Sequence, residues 1–375
     1  MHKLCFNGNQ KRERVSCTRS LFVSTITALL LIGCATGGPP GNGHKSVTSA
    51  GDADSLAGDA DAARALGDYA GAKSLYDTAL AIDPANASAL RGLASLYDAT
   101  NDPASSLHYL ERLNESPASD ASDRVALANA LLRADRGDEA VDLLESSLQA
   151  AGPDDENLLR NLGLILLARG RDDEAITYLE RAVTVSPRSD SRRALANALF
   201  EAERYDEAAI VLGAYLEQEP GDFDANMQLG YICSTRGDFE AALPRYRTAV
   251  DANPKSIDAR VSLGRTLEEV GRLDSAIRVY DKALDMRGLT LEMEPVILAQ
   301  ANLLNKRDKY SRTIELVEGA SASFPETPGL ACALGMALAG EGRYEDAVAA
   351  FARATGDPRW SEFANSQIRR IQSLR

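Results

Sequence analysis

Few side chains in this sequence are equipped for covalent chemistry. Three histidines occur among the 375 residues: His2, His44 and His108. Acid–base catalysis near neutral pH draws first on histidine, and no HExxH or GxSxG motif surrounds these three. The five cysteines are Cys5, Cys17, Cys34, Cys233 and Cys332, with no CxxC pair. A thiolate is a nucleophile and a soft metal ligand, but a structural metal site needs such ligands in clusters. Acidic neighbours such as Glu268–Glu269 are abundant, and on helices they form solvated faces. The expectation is therefore no enzyme, no cofactor and no bound metal.

Cys34 matters for its setting. Lys3, Lys11, Arg12, Arg14 and Arg19 form a basic head before the apolar run LFVSTITALLLI, Leu21 to Ile32. The run is too short to cross a bilayer comfortably, and no later segment is long enough. Residues 1–33 are therefore expected to be a signal peptide. The run ends in Leu31-Ile32-Gly33-Cys34, which resembles the lipobox of bacterial lipoproteins. The resemblance implies cleavage before Cys34 and a diacylglyceryl group on its thiol, which joins the protein to the membrane. The plain alternative is an ordinary secretory signal followed by a chance cysteine. One acyl chain binds a membrane with K on the order of 10⁴ M⁻¹, so stable anchoring takes the two or three chains that lipoproteins carry. Ala35 stands where the family often has Asp for inner-membrane retention. The implied location is the bacterial outer membrane, lipid-anchored and facing the periplasm.

Residues 34–52 hold the lipidated cysteine and a Gly-, Pro- and Ser-rich stretch (ATGGPPGNGHKSVTSAGD after Cys34). It is expected to be a flexible linker with an rms reach of about 25 Å. Gly38 to Ser46 loosely resembles a phosphate-binding loop. His44 separates Gly43 from Lys45 and no strand precedes it, so no nucleotide site is expected. The formal net charge is −14. Without residues 1–33, which hold five of the 41 basic and one of the 55 acidic residues, it becomes −18. Such a surface repels phosphate backbones, so nucleic acid is not an expected partner; nor is a small-molecule substrate.

From about Ala53 the chain repeats itself in nine units starting near 53, 87, 121, 156, 189, 223, 257, 294 and 328. The clearest unit is ENLLRNLGLILLARGRDDEAITYLERAVTVSPRS, Glu156 to Ser189, with markers Leu162, Gly163, Gly170, Ala175, Leu179, Ala182 and Pro187. Other units keep the frame, as in Leu229, Gly230, Gly237, Phe239, Ala242, Tyr246, Ala249 and Pro254. The pattern resembles the tetratricopeptide repeat (TPR). The resemblance implies an all-α fold, a right-handed α-solenoid of about nine helix-turn-helix repeats over residues 53–361. Small residues let paired helices approach, large apolar ones fill the gap to the next unit, and proline stops the second helix. The last unit needs a cap, and a capping helix over 362–375 is expected, with Trp360, Phe363, Ile368, Ile371 and Leu374 roughly on one face.

Departures from the pattern mark weak points. Pro103 replaces a turn aromatic, Ser147 replaces an alanine, and Pro244 is expected to perturb a second helix locally. Three extra residues fall around Asp285 to Glu294. They form either a lengthened helix or loop, or a hinge or docking patch built on Met286, Leu289 and Met293. Cys233 and Cys332 lie about three units apart, beyond disulfide reach in one solenoid.

In TPR proteins the first helices line a concave groove, and positions 2, 5, 9, 12 and 13 point into it. Carried onto this sequence, those positions give Arg91, Asn129, Arg133, Arg160, Arg193, Asn197, Phe200, Met227, Tyr231, Arg265, Asn302, Asn305 and Lys306 as groove residues. Asp98, Glu201, Glu268 and Glu269 are the acids among them. Asparagine hydrogen-bonds a peptide backbone and arginine forks match carboxylates. Units four to seven are thus expected to take an extended segment bearing acidic and aromatic residues. The competing expectation is that these arginines pair with neighbouring Glu residues and leave no open site. Lipobox and array together are similar to the assembly lipoproteins of type IV and Flp (Tad) pili. This implies cell-envelope proteins or peptides as partners in assembling a pilus or secretion system. The rival is an adaptor in exopolysaccharide export or peptidoglycan synthesis. A second copy of the chain is a further candidate partner.

Overall fold

The fold follows from how each unit turns back on itself. The computed structural model describes residues 50–152 and 154–373. Unit one pairs α1 (Ala50–Ala65) with α2 (Tyr69–Ile82), unit two α3 (Ala87–Ala99) with α4 (Pro103–Asn114), and unit three α5 (Ala121–Arg133) with α6 (Gly137–Ala151). Unit four pairs α7 (Glu156–Ala168) with α8 (Asp172–Val185), unit five α9 (Ser189–Glu201) with α10 (Tyr205–Leu216), and unit six α11 (Phe223–Thr235) with α12 (Phe239–Ala252). Unit seven pairs α13 (Ile257–Glu269) with α14 (Leu273–Arg287), unit eight α15 (Glu294–Lys306) with α16 (Tyr310–Ser323), and unit nine α17 (Pro328–Gly340) with α18 (Tyr344–Ala354). α19 (Ser361–Gln372) follows. Among the described residues there is no strand, and each helix packs on the next, giving an all-α solenoid.

Each hairpin turn contains one residue in the left-handed region. Gly67, Gly170, Gly237, Gly271 and Gly342 fill five of them at φ between 73° and 83°. Asn101, Asp135, Glu203 and Asp308 fill the other four at φ between 54° and 61°. Glycine reaches this region without strain, whereas a Cβ makes it costly. Most first helices start at a side-chain cap: Asn86, Asp120, Asp155, Asp222, Ser256 and Thr327 each accept a backbone N–H three residues on.

Close packing inside the hairpins uses the eighth position. A Cβ on Gly264 would lie 2.3 Å from the Tyr280 ring, and one on Gly335 2.8 Å from Phe351. The facing alanines Ala72, Ala140, Ala175, Ala208, Ala242, Ala276 and Ala347 are wholly buried. Four apolar clusters succeed one another along the units, joined by partly buried residues such as Leu80, Leu167 and Cys233, so each hairpin is covered by the next.

Several expectations are adjusted. α1 begins at Ala50, so residues 50–52 are helical, and the stretch ascribed to the linker ends earlier than residue 52. Cys34 and the proposed signal and linker before residue 50 lie outside the described residues. α12 runs through Pro244 without interruption, because the ring removes only one N–H near the first turns. The junction before unit eight combines a lengthened α14, a C-cap at Gly288 (φ 78°) and a 3-10 turn, Leu291–Met293. Met293 is buried and Leu289 packs against the core, so the junction is folded inward and two of its three apolar residues do not form a docking patch. α19 buries Ala364 and Ile371, while Phe363 meets Phe351 and Trp360 edge-on. Leu374 is outside the described residues. Among the described residues, no helix is long and apolar enough to cross a membrane, and no three His, Cys, Asp or Glu side chains gather to hold a metal.

Candidate protein-binding groove

Successive first helices touch one another at α1–α3, α5–α7, α7–α9 and α15–α17, whereas no successive second helices pack comparably. The first helices therefore form the inner row. The ninth residue of each unit points out of this row: Asp61, Ser95, Asn129, Leu164, Asn197, Tyr231, Arg265, Asn302 and Met336 are all exposed. A file exposed in every unit is a continuous surface on a rigid support. Leu164 and Met336 belong to it at 42% and 37% exposure, beside Tyr231 at 45%. The same counting that picked Asn129 and Arg265 reaches Leu164 and Met336, but an apolar residue in an amphipathic helix reads as core.

The cations divide into two groups. Arg91 grips Asp123 in a fork, Nε and Nη2 donating at 2.6 and 2.7 Å, and also reaches the Ala118 carbonyl at 3.1 Å. Asp123 is buried, and its hydrogen bonds hold the Arg91 guanidinium above its ordinary value. Arg133 pairs with Asp98 at 3.2 Å. Arg160 lies 3.7 Å from Glu156 and 3.5 Å from Asp190 of the next unit, and Lys306 lies 3.4 Å from Glu268. These four serve the protein's own acids, Asp as well as the Glu that the competing expectation named. Arg193 and Arg265 are exposed and, among the described residues, make neither an ion pair nor a hydrogen bond. Arg193 occupies the register of Arg160 one unit later and Asp224 that of Asp190, yet the pair does not form.

Between these two arginines lies an aromatic cluster. Phe200, Tyr205 and Tyr231 meet edge-to-face with centroids 5.4, 5.6 and 5.9 Å apart. Tyr205 and also Gln228, which donates to Asn197 at 2.9 Å, were not among the residues selected by position. Burial pushes the Tyr205 hydroxyl above its ordinary value, with the charge of Tyr231 adding to the shift. Met227 is partly buried against the core, and Asn305 donates to the Ala333 carbonyl at 2.9 Å, so both are largely committed to packing. Asn129 and Asn302 remain exposed. Cys233 and Cys332 are free thiols, and burial raises both, Cys332 to about 11, which suppresses thiolate chemistry.

A stack of helical hairpins with one exposed file along its inner row defines a helical-repeat protein of the polypeptide-contact class. Tetratricopeptide-repeat models match residues 122–188, residues 63–128 and 166–229, and residues 234–288 and 298–361. Together these matches span most of the chain, which belongs to the tetratricopeptide-repeat family.

Tetratricopeptide repeat protein 1 of Schizosaccharomyces pombe (strain 972) is 28% identical over 116 residues, 31% of this chain and 11% of that protein. BBSome complex member BBS4 of Bos taurus is 25% identical over 132 residues, 34% of this chain and 24% of that protein. Photosystem I assembly protein Ycf3 of Synechococcus sp. (strain CC9902) is 28% identical over 139 residues, 35% of this chain and 73% of that protein. The chain thus spans a quarter or less of the first two. A crystal structure of MamA is similar at 23% identity and TM-score 0.40, covering 45% of this chain and 95% of that one. MamA from Desulfovibrio magneticus RS-1 gives 21% and 0.41, covering 44% and 94%.

Proposed function

We propose that this protein is a membrane-anchored interaction scaffold that holds extended segments or partner subunits along its first helices during assembly of a cell-envelope machine such as a pilus or secretion system. The observation that carries the binding role is the file of nine exposed ninth-position side chains on packed helices. A fixed row of this kind presents polar and apolar contacts without the ordering cost that a mobile loop incurs. The Leu31-Ile32-Gly33-Cys34 motif supports the anchor. Tethering at a membrane raises the effective concentration of partners there. Two relatives, by their names, act in photosystem I assembly and in the BBSome complex.

A photo-crosslinking residue at Tyr231 tests the groove against one at Ile210, exposed at 75% on α10. The expected result is a discrete envelope-protein adduct from Tyr231 and none from Ile210. Equal adducts from both sites, or none from Tyr231, refute the groove. Cys34→Ala is expected to move the protein from the membrane to the soluble fraction.

A further inference from the structure

We propose that the opening between α9 and α13 takes an extended polypeptide segment in which one aromatic side chain lies on Tyr231 between two carboxylates about six residues apart, held by Arg193 and Arg265. The proposal rests on the groove reading above and specifies what occupies it.

Three observations converge on this place. First, the backbones of α9, α11, α13 and α15 do not pack on one another as those of α5, α7 and α9 do, and between α9 and α11 only side chains such as Asn197–Gln228 and Phe200–Tyr231 meet. α3 and α5 also stand apart, but there the fork to Asp123 occupies the groove arginine, Arg91, itself. Second, Arg193 and Arg265 are the two groove arginines that no acid of the protein engages. Third, the surface between them is aromatic, with Tyr231 45% exposed and backed by Phe200 and Tyr205. A side chain stacked there would extend an edge-to-face cluster already formed, an arrangement aromatic rings favour.

Geometry sets the spacing. Arg193 is the fifth residue of α9, and Arg265 the ninth of α13. Two steps between first helices that do not pack closely, each at least about 10 Å, and four residues along the helix axis, about 6 Å, separate them by roughly 20 Å or slightly more. An extended chain covers that distance in about six residues. The exposed acids Glu201 and Glu269 sit at position 13, about two helical turns beyond Arg193 and about one beyond Arg265. They repel a carboxylate placed out of register, which confines the anionic groups to the two arginines.

Full-length protein in detergent, titrated with labelled peptides by fluorescence anisotropy, tests the proposal. The probe carries the core Glu-Ser-Gly-Phe-Gly-Ser-Glu. It is expected to bind about fivefold tighter than a peptide with either Glu changed to Gln, the size of one exposed ion pair, and tighter than one with the two Glu three residues apart. Arg193→Glu and Arg265→Glu each weaken it about fivefold and prefer the peptide carrying Lys in place of the facing Glu. Arg247→Glu, exposed on α12 outside the groove, changes nothing. Absent binding, indifference to spacing, or full binding by either reversal variant overturns the proposal. So does displacement of the peptide by an anionic oligosaccharide at lower concentration. If those results come while the Tyr231 crosslink persists, this proposal falls and the scaffold reading stands; loss of the crosslink removes both.

Discussion

Arginine meets opposite fates at the turn edge of the solenoid and in its groove. Along the edge, position 18 of one unit carries an acid and position 14 of the next an arginine. Asp138 pairs with Arg169 at 3.2 Å, Asp206 with Arg236, and Asp274 with Arg307 at 2.8 Å. A second set closes four of the turns locally: Arg136, Arg171, Arg204 and Arg343 each reach an acid three residues on. In the groove between α9 and α13 the same side chain finds no partner. The edge residues meet because neighbouring hairpin turns are held side by side at fixed register. Arg193 stands on α9, whose backbone does not pack on α11, and it forms no ion pair with Asp224, the acid at the equivalent position. Edge charges join units, as Arg91, Arg133 and Arg160 also do in the groove, whereas Arg193 and Arg265 are unpaired among the described residues. Substitutions on the packed side should therefore change stability, and substitutions in the opening should change binding alone.

The largest effect is expected at the interior contact that holds a hairpin together. Gly264→Ala forces a methyl to within 2.3 Å of the buried Tyr280 ring. Overpacking of this kind costs about 1–3 kcal/mol, visible as a lower denaturation midpoint in helical circular dichroism. Next is Arg91→Ala. It leaves the Asp123 carboxylate buried at 6% exposure without its guanidinium, though still bonded to the Asp120 N–H. A loss of about 2 kcal/mol is expected from an unpartnered buried charge-assisted bond. A loss below ~0.3 kcal/mol at Arg91 would show that it resembles the exposed edge pairs and would blur the division between groove arginines.

How far these features could be read beforehand depends on their range. The repeat frame was legible because glycine or alanine at position 8 and, in most units, alanine at position 20 let two helices approach, and the first helices of units two to nine begin at the residues counted from the pattern. Five hairpin turns were likewise marked by glycine. The other four were not, because Glu203 carries no mark of a left-handed backbone and Asn101, Asp135 and Asp308 adopt it only occasionally. Pairing in the groove was hidden as well. Whether Arg160 meets Asp190, or Arg193 misses Asp224, depends on an interhelical distance that no single unit encodes. Met293 suggested a docking patch because its apolarity was visible and its burial was not.

Glu203 gives a smaller effect, of opposite sign. It holds φ 58° in the turn of unit five, where five other units have glycine. A left-handed L-residue is strained by roughly 1–2 kcal/mol, and glycine offsets part of the relief through its larger unfolded-state entropy. Glu203→Gly is expected to stabilise the protein by about 0.5–1 kcal/mol. Unchanged or reduced stability would mean that the turn is already relaxed by its neighbours.

The smallest effect on stability is the one that discriminates most sharply between the two regions. Arg193→Gln and Arg265→Gln remove charges that no acid of the protein engages. Their combined change in unfolding free energy should stay within about 0.5 kcal/mol, as for surface sites away from any packed or paired feature. Arg169→Gln breaks the 3.2 Å contact to Asp138, so it should lose up to about 1 kcal/mol, and the loss should shrink at high salt. If the groove variants instead lose as much as the edge variant, and lose it with the same salt dependence, then Arg193 and Arg265 are paired in solution. The acids that would do this are Asp224 and Glu269, both exposed nearby, and their neutralisation would then rescue the loss. A flat stability response, with a salt-sensitive change in peptide affinity, keeps the two regions distinct: one set of charges closes the solenoid on itself and the other faces outward.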